Sequence, residues 1–297
     1  LDTGPAYGAA IKAFLADKET DGKFELYVTD AKGEGFIFKV SGATIAAGDI
    51  ETAAWSPDSS HVAFRGDRET DGVVELYTNL PTGGALAKVN GTILGGLTLP
   101  FAWSPDSSQL AYIAREDSAT IDDLYTAPPT GGSTNVSMLE AGENVTDFAW
   151  APNSSRVAYV ADDIVDEKFE LFSVLPNGTG FATVSQAVIA AGDCQVGIRW
   201  APDSSRIAYL ADADTDEVFE LYTSTPDGSI KDKVSDLIGL LADVFEFAWA
   251  PDSSRIAYRA DQTADGTIEL YTSLPDGTGA SATVNGVLAG GGNVLGF

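Results

Sequence analysis

Carboxylates recur at fixed spacing along this chain, and they are its best candidates for chemistry. Five short segments carry Asp at their first and fifth positions, and three of these also carry an acid at the third position. The complete segments contain Asp17, Glu19, Asp21, Asp67, Glu69, Asp71, Asp212, Asp214 and Asp216. The two segments without a third-position acid contain Asp162, Asp166, Asp261 and Asp265.

This spacing predicts calcium sites. Carboxylates at positions 1, 3 and 5 of a tight loop can converge on one point, as in the first half of an EF-hand loop. Three neighbouring carboxylates repel one another, so a cation is a natural counter-charge. A further acid at position 9 lies within reach in each segment: Glu25, Glu75, Glu170, Glu220 and Glu269. We therefore predict Ca²⁺ as a cofactor, most completely held in the three full segments.

A second interpretation of these segments needs no metal. They can be polar hairpin loops whose Asp side chains accept hydrogen bonds from backbone amides, with the ninth-position Glu facing solvent. A sixth segment has Arg115 and Ala119 at positions 1 and 5, and we predict no metal there. If calcium binds, occupancy should follow this gradation.

The acidic segments belong to an internal repeat, which is marked by tryptophan. Trp55, Trp103, Trp150, Trp200 and Trp249 each open a phrase of the form W-[SA]-P-[DN]-S-S-x-[VIL]-A-[YF]. A second phrase, of the FELY type, follows about 20 residues later and has a sixth copy ending at Tyr27. Each repeat predicts four strands: an apolar strand ending in Trp, the RIAY strand, the FELY strand and a short K/T-V-S/N strand. The acidic segment joins the second strand to the third.

Four strands per repeat and a period near 48 residues are typical of a propeller blade. We predict an all-β, six-bladed β-propeller with four antiparallel strands per blade. The predicted bounds are 11–42 plus 291–297 for blade 1, 50–90 for blade 2, 97–137 for blade 3, 144–185 for blade 4, 194–235 for blade 5 and 243–285 for blade 6.

The two chain ends predict how the ring closes. The first repeat has no Trp phrase, and Gly291–Phe297 resembles Ala242–Trp249, the first strand of the last complete repeat. We therefore expect Gly291–Phe297 to complete the first blade by pairing beside Ile11–Ala16, which leaves no free edge. A solenoid with open ends is the alternative.

The Trp phrase, followed by [DE]-L-[YF] and Pro-Asp-Gly, resembles the TolB-like or WD40-like propeller repeat over nearly the whole chain. The resemblance implies the propeller fold. It does not imply one function, because this repeat type occurs in periplasmic TolB, in prolyl-oligopeptidase-like peptidases and in oligogalacturonate lyases. After the Trp, the usual Gly of the turn is Ser here, as at Ser59 and Ser204.

Composition narrows the function classes. With 44 acidic and 17 basic residues, the formal net charge is −27, so the surface repels nucleic acid and anionic membranes. No apolar run is long enough for membrane insertion. Cys194 is the only cysteine and His61 the only histidine, and neither lies in a recognisable nucleophile motif. Because the chain begins at Leu1, we expect a processed product or an excised domain.

These observations predict a non-catalytic propeller that is extracellular, exposed on the cell surface or periplasmic. We expect it to bind Ca²⁺ and a protein or glycan partner, and self-assembly is a further option. One alternative is a polysaccharide-acting enzyme of the lyase or glycosidase type, with Glu51, Thr98, Asp147, Gln195 and Glu246 around a central channel. Another is a structural filament subunit or an engineered repeat protein.

Overall fold

A computed structural model describes the chain except residues 1–2, 5–10, 31, 33–34, 96–99, 163–167, 187–191, 237–241, 265 and 289–291. The chain divides into two compact units, Leu1–Gly142 and Glu143–Phe297. Each unit contains three four-stranded antiparallel sheets. Strands are the only regular secondary structure among the described residues, and no helix there is long and apolar enough to span a membrane.

In the first unit, each sheet is built from strands that follow one another along the chain. Blade 1 comprises β1 (Thr3–Gly4), β2 (Ile11–Ala16), β3 (Glu25–Asp30) and β4 (Ile37–Lys39). Blade 2 comprises β5 (Ile50–Trp55), β6 (Val62–Gly66), β7 (Glu75–Asn79) and β8 (Ala87–Lys88). Blade 3 comprises β9 (Phe101–Trp103), β10 (Leu110–Ala114), β11 (Asp123–Ala127) and β12 (Thr134–Asn135).

The second unit repeats the same plan. Blade 4 comprises β13 (Val145–Trp150), β14 (Val157–Ala161), β15 (Glu170–Val174) and β16 (Ala182–Thr183). Blade 5 comprises β17 (Arg199–Trp200), β18 (Ile207–Ala211), β19 (Glu220–Ser224) and β20 (Lys231–Lys233). Blade 6 comprises β21 (Val244–Trp249), β22 (Ile256–Ala260), β23 (Glu269–Ser273) and β24 (Ala282–Thr283). The predicted all-β chain of six four-stranded antiparallel blades is confirmed.

The two middle strands of a blade form its core. The sequence of the second strand alternates polar and apolar residues, yet every residue of β10 and β11 is buried. Leu110, Tyr112 and Ala114 lie on one face of β10 and Ala111 and Ile113 on the other, and both faces are covered. Tyr112 stacks on Tyr125 with ring centroids 5.7 Å apart, while Ala111 is fully buried on the opposite face. The same pairing recurs in blade 5 between Tyr209 and Tyr222.

The turn after each Trp explains why Ser replaces Gly. Ser59, Ser107, Ser154, Ser204 and Ser253 all have positive φ, between 61° and 66°, a conformation that favours glycine. In blades 3, 5 and 6 the serine hydroxyl offsets this cost, because it accepts a hydrogen bond from the preceding blade. Ser107 Oγ accepts a hydrogen bond from the backbone N–H of Asp58 at 3.0 Å, and Ser204 Oγ accepts one from Asn153 N–H at 3.0 Å. The substitution therefore links neighbouring blades within each unit.

Tryptophan makes a second link between blades. The indole N–H of Trp103 donates to the carbonyl of Ala54, that of Trp200 to Ala149 and that of Trp249 to Arg199. Each acceptor is the residue immediately before the Trp position of the preceding blade. These bonds fix the register of adjacent first strands and satisfy an indole group that burial would otherwise leave without a partner.

The predicted closing strand is not detected among the described residues, and it stays a prediction. In the described residues, β1 pairs with the edge of β2 that faces away from β3, where the first strand of a blade belongs. Thr3 lies opposite Lys12 and Gly4 opposite Ile11. Residues 292–297 carry no strand, and Gly291 lies outside the described residues. The pair Thr3–Lys12 corresponds to Trp55–Val62 in blade 2, so the N-terminus itself supplies the end of the first strand. The missing Trp hid this segment from the sequence pattern.

Candidate functional site

The first-position Asp of each acidic loop binds backbone amides. Asp67 accepts hydrogen bonds from Gly72 N–H at 3.1 Å and from Asp49 N–H at 2.6 Å. Asp261 does the same with Gly266 N–H at 3.0 Å and Asp243 N–H at 2.7 Å. Equivalent acceptors are Asp17, Asp162 and Asp212. The first-position Asp therefore closes the loop in blades 1, 2, 5 and 6, and in blades 2, 4, 5 and 6 it holds the entry to its own first strand.

Third-position and ninth-position acids share a lysine from the fourth strand. In blade 1, Lys39 Nζ lies 2.9 Å from Glu19 and 2.5 Å from Glu25. In blade 5, Lys233 Nζ lies 3.1 Å from Asp214 and 2.5 Å from Glu220. Blade 2 repeats the arrangement with Lys88, Glu69 and Glu75. The ninth-position Glu does not face solvent, since Glu25 and Glu220 are 1% and 4% exposed.

A tyrosine completes each of these lysine clusters. The hydroxyl of Tyr77 donates to Glu75 at 2.6 Å, and that of Tyr222 donates to Glu220 at 2.9 Å. In blade 1, burial together with the Glu25 carboxylate raises the pKa of Tyr27 to about 12. Burial alone would raise the pKa of Glu25, but hydrogen bonds from Lys39 and Thr44 outweigh it and lower that pKa. The cluster therefore holds an ionised Glu beside a neutral Tyr.

Lysine and the third-position acid occur together across the repeats. Blades 1, 2 and 5 have both, whereas blade 6 has Thr263 at the third position and Thr283 opposite Tyr271 on its fourth strand. There Thr263 donates to Glu269 at 2.8 Å. In blade 3, Asp117 accepts from the amide of Asn135 instead. In every blade with a fourth-strand Lys at this position the third-position residue is an acid, and in blade 3 the third-position acid has an amide as its partner instead.

Calcium binding at these loops stays a prediction. The fifth-position residues Asp21, Asp71 and Asp216 are exposed, and Asp166 and Asp265 lie outside the described residues. Within the described part of the chain, no three acidic, His or Cys side chains converge closely enough to hold a metal ion. In the three complete loops the lysine ammonium supplies the positive charge for which the sequence predicts calcium.

A groove of about 540 Å³ opens on the first strands of blades 4, 5 and 6, all in the second unit. Trp150, Trp200 and Trp249 line it together with the residue before each of them. That preceding residue is Ala149 in blade 4, Arg199 in blade 5 and Ala248 in blade 6. The remaining lining residues are Ile198, Glu246 and Phe247. The groove thus combines aromatic and aliphatic side chains with two charged ones, Arg199 and Glu246.

The first strand of blade 5 is irregular beside this groove. Cys194 pairs with Ala211 and lies six residues before Trp200, whereas Val145 and Val244 lie five residues before their Trp. The extra residue bulges at Val196 and Gly197. Val196 is 63% exposed, and Gly197 donates its N–H to Asp147 at 2.8 Å. Bulges are over-represented next to functional sites, where they re-aim side chains.

Three of the residues named for an enzyme at the channel have partners within their own blade or the next one. Glu51 pairs with Arg65 at 2.8 Å, Glu246 pairs with Arg259 at 3.0 Å, and Asp147 accepts the bulge amide. Gln195 belongs to the irregular strand, and Thr98 lies outside the described residues.

The histidine does not belong to a catalytic triad. His61 Nδ1 lies 2.8 Å from Ser60 Oγ, and that hydroxyl bonds Asp58 at 2.8 Å. A triad requires the imidazole between the hydroxyl and the acid, whereas here the hydroxyl stands in the middle. Blade 5 makes the same Ser–Asp contact, between Ser205 and Asp203, without a histidine. This is turn structure.

Sequence reasoning missed the lysines and Arg199. A signal for each was present: the fourth-strand Lys accompanies the third-position acid, and Arg199 replaces the Ala that precedes the other four Trp residues. The spacing from Trp150 to Trp200, the longest between successive Trp residues, also marks blade 5.

Residues 31–223, about two thirds of the chain, match the protein family described as the lipoprotein LpqB beta-propeller domain. No curated protein matches the sequence.

Solved structures show the same fold at low sequence identity. Dipeptidyl peptidase 4 of Porphyromonas gingivalis has a TM-score of 0.63 and 14% identity, over 95% of this chain and 43% of that chain. An oligogalacturonate lyase in complex with manganese has a TM-score of 0.51 and 17% identity, over 92% of this chain and 73% of that one. TolB of Acinetobacter baumannii has a TM-score of 0.41 and 13% identity, over 93% of this chain and 63% of that one. This chain spans less than half of the peptidase.

Proposed function

The chain belongs to the LpqB β-propeller family, and from this we propose that it is a non-catalytic protein-binding module of the cell envelope or cell exterior. The family description names a lipoprotein, which supports the location. The resemblance to TolB-like propeller repeats is shown at the level of the fold family.

The groove on blades 4 to 6 is the observation that carries this proposal. Its volume of about 540 Å³ falls within the roughly 300–1,000 Å³ typical of ligand sites. Three indoles and Phe247 give it the aromatic lining that is enriched in protein interfaces. Its walls are strands tied together by the Trp-to-carbonyl bonds, so the groove is rigid before a partner arrives. Preorganisation of this kind lowers the entropic cost of binding.

Binding to linear peptides tests the proposal. A random dodecapeptide display library is panned on the folded chain, and the selected peptides are measured against two variants. Ala248→Gln narrows the groove at an exposed residue of the lining, whereas Val287→Gln changes a fully exposed residue outside the groove lining. We expect selected peptides to lose affinity about tenfold or more on Ala248→Gln and to keep it on Val287→Gln. The absence of enriched peptides, or equal binding to both variants, contradicts the proposal.

Calcium binding at the acidic loops, a glycan ligand and self-assembly are finer proposals. For calcium, support comes from the spacing of the carboxylates and the net charge of −27. The lysine clusters are the competing arrangement, and a calcium titration separates the two, as set out below.

A further inference from the structure

Arg199 stands out among the arginines of the chain. Seven of the eight arginines donate a hydrogen bond or form an ion pair, and they are Arg65, Arg68, Arg115, Arg156, Arg206, Arg255 and Arg259. The guanidinium of Arg199 has no partner among the described residues, and the side chain is exposed. In a chain of net charge −27, an arginine left without an acid is free to bind an anion from outside.

The position of Arg199 places this free charge inside the groove. The residue lies on the middle one of the three first strands, with Ala149 before it and Ala248 after it in the equivalent positions. Its backbone carbonyl is fixed by the indole N–H of Trp249 at 3.0 Å. The guanidinium therefore rises from a rigid strand, between two small residues that leave room on either side.

The acid in the same groove does not cancel this charge. Glu246 lines the groove, but its carboxylate lies 3.0 Å from Arg259 Nε, and Arg259 also donates to the carbonyl of Val294 at 2.8 Å. Asp147 accepts the Gly197 amide and is not among the residues that line the groove. Of the two charged side chains in the lining, Glu246 therefore has an ion-pair partner and Arg199 has none among the described residues.

On the basis of the proposed function, we infer that the groove binds a linear peptide segment in which an Asp or Glu side chain lies between apolar residues, with the carboxylate on the Arg199 guanidinium. The apolar residues Ala149 and Ala248 lie on the two sides of Arg199. This arrangement suits a peptide in which apolar residues flank the acidic one. Arginine and carboxylate form two parallel hydrogen bonds, which gives geometric selectivity as well as affinity.

The test uses two peptides that differ in one group. Acetyl-Leu-Glu-Leu-amide and acetyl-Leu-Gln-Leu-amide are titrated into ¹⁵N-labelled protein, and the indole N–H signals of the five Trp residues are followed. We expect the Glu peptide to shift the signals of Trp200 and Trp249 and to bind roughly tenfold or more tightly than the Gln peptide. In Arg199→Ala this ratio falls to about one, while binding of the Gln peptide is unchanged. Alanine precedes Trp in four other blades, so the variant keeps the fold.

Each other outcome has a defined meaning. Equal binding of the two peptides to the wild-type chain overturns the inference and leaves the proposed function standing. No indole shift with either peptide at about 20 mM overturns the inference, since even millimolar affinity would then be visible; the display experiment alone then decides the proposed function. If trigalacturonate binds more tightly than the Glu peptide and loses affinity in Arg199→Ala, the occupant is an acidic glycan and the peptide inference is wrong.

Discussion

The ammonium of Lys233 lies 2.5 Å from the carboxylate of Glu220, which is 4% exposed. Asp214 meets the same ammonium at 3.1 Å. The pair joins the third and fourth strands of blade 5, since Lys233 stands opposite Tyr222, two residues from Glu220. The acidic loop of blade 5, which the sequence predicts as a calcium site, thus has the Lys233 ammonium as its cation.

Removal of that cation should destabilise the fold. We expect Lys233→Thr to lower the free energy of unfolding by about 2 kcal/mol, because it leaves the buried Glu220 charge without a partner. The value is below the roughly 3–5 kcal/mol of a fully buried pair, since Lys233 is partly solvated. The double variant Lys233→Thr, Asp214→Thr reproduces blade 6, and it should recover part of the loss. Urea denaturation measures both, and a neutral single variant contradicts this role.

The same lysine gives a test of calcium. If the ammonium already serves as counter-charge, 1 mM CaCl₂ should leave the Tm of the wild-type chain unchanged within about 1 °C. The same CaCl₂ should raise the Tm of Lys233→Met, because that variant leaves the carboxylates unpaired. Scanning calorimetry with and without chelator measures this. A calcium-dependent rise in the wild-type chain that disappears in Asp214→Asn would support the calcium prediction and contradict the view that Lys233 replaces the metal.

Two glycines in one turn of blade 6 allow the energetic cost of close packing to be measured apart from the cost of a strained backbone. Gly277 and Gly279 both have positive φ, 64° and 81°. A Cβ at Gly277 would overlap the carbonyl oxygen of Lys233 in blade 5, whereas one at Gly279 would meet nothing within 4 Å. We expect Gly279→Ala to cost about 1 kcal/mol for the left-handed backbone alone, and Gly277→Ala to cost about 2 kcal/mol more. Equal losses in urea denaturation would show that adjacent blades do not pack closely here.

Acid stability should depend on the turns after Trp. Burial alone would raise the pKa of Asp58, but hydrogen bonds from Ser56 and Ser60 lower it from 3.8 to about 2. A lowered pKa contributes stability that is complete above pH 4 and is lost as the pH falls toward 2. The control is Asp58→Asn, because Asn153 in blade 4 accepts the two bonds that correspond to those from Ser60.

We expect the stability difference between the wild-type chain and Asp58→Asn to be larger at pH 6 than at pH 2. The change should be about 1 kcal/mol, which is less than the shift alone implies because the side chain is exposed. Urea denaturation at the two pH values measures it. A difference that does not vary with pH would contradict the assignment.

The single thiol should report on local opening. Cys194 is 4% exposed, and burial raises its pKa to about 12. We expect a thiol reagent at pH 8 to label the folded chain at least about 100-fold more slowly than the chain in urea. No second cysteine complicates the measurement. Rapid labelling of the folded chain would show that the first strand of blade 5 opens readily.

Much of the fold could be predicted because each repeat carries the same local sequence pattern, and the copies together give stronger evidence than one copy does. One Trp phrase is weak evidence, but five in phase determine strand order, turn positions and the acidic loops. The N-terminal strand Thr3–Gly4 was missed for the opposite reason: it carries neither Trp nor the Pro-Asp-Ser-Ser turn, so only backbone pairing with Lys12 and Ile11 shows its place.

By itself, the sequence determined the all-β class, six blades of four strands and a strongly acidic chain, since these depend on composition and short-range periodicity. Only the tertiary structure decided the partners of the charged groups. Lys233 is 13 residues from Glu220 and 19 from Asp214, and Arg259 meets Glu246 across a strand pair. Such contacts form between strands, and the spacing of residues along the chain does not predict them. Because the other arginines find partners in this way, Arg199 is the arginine without a partner among the described residues.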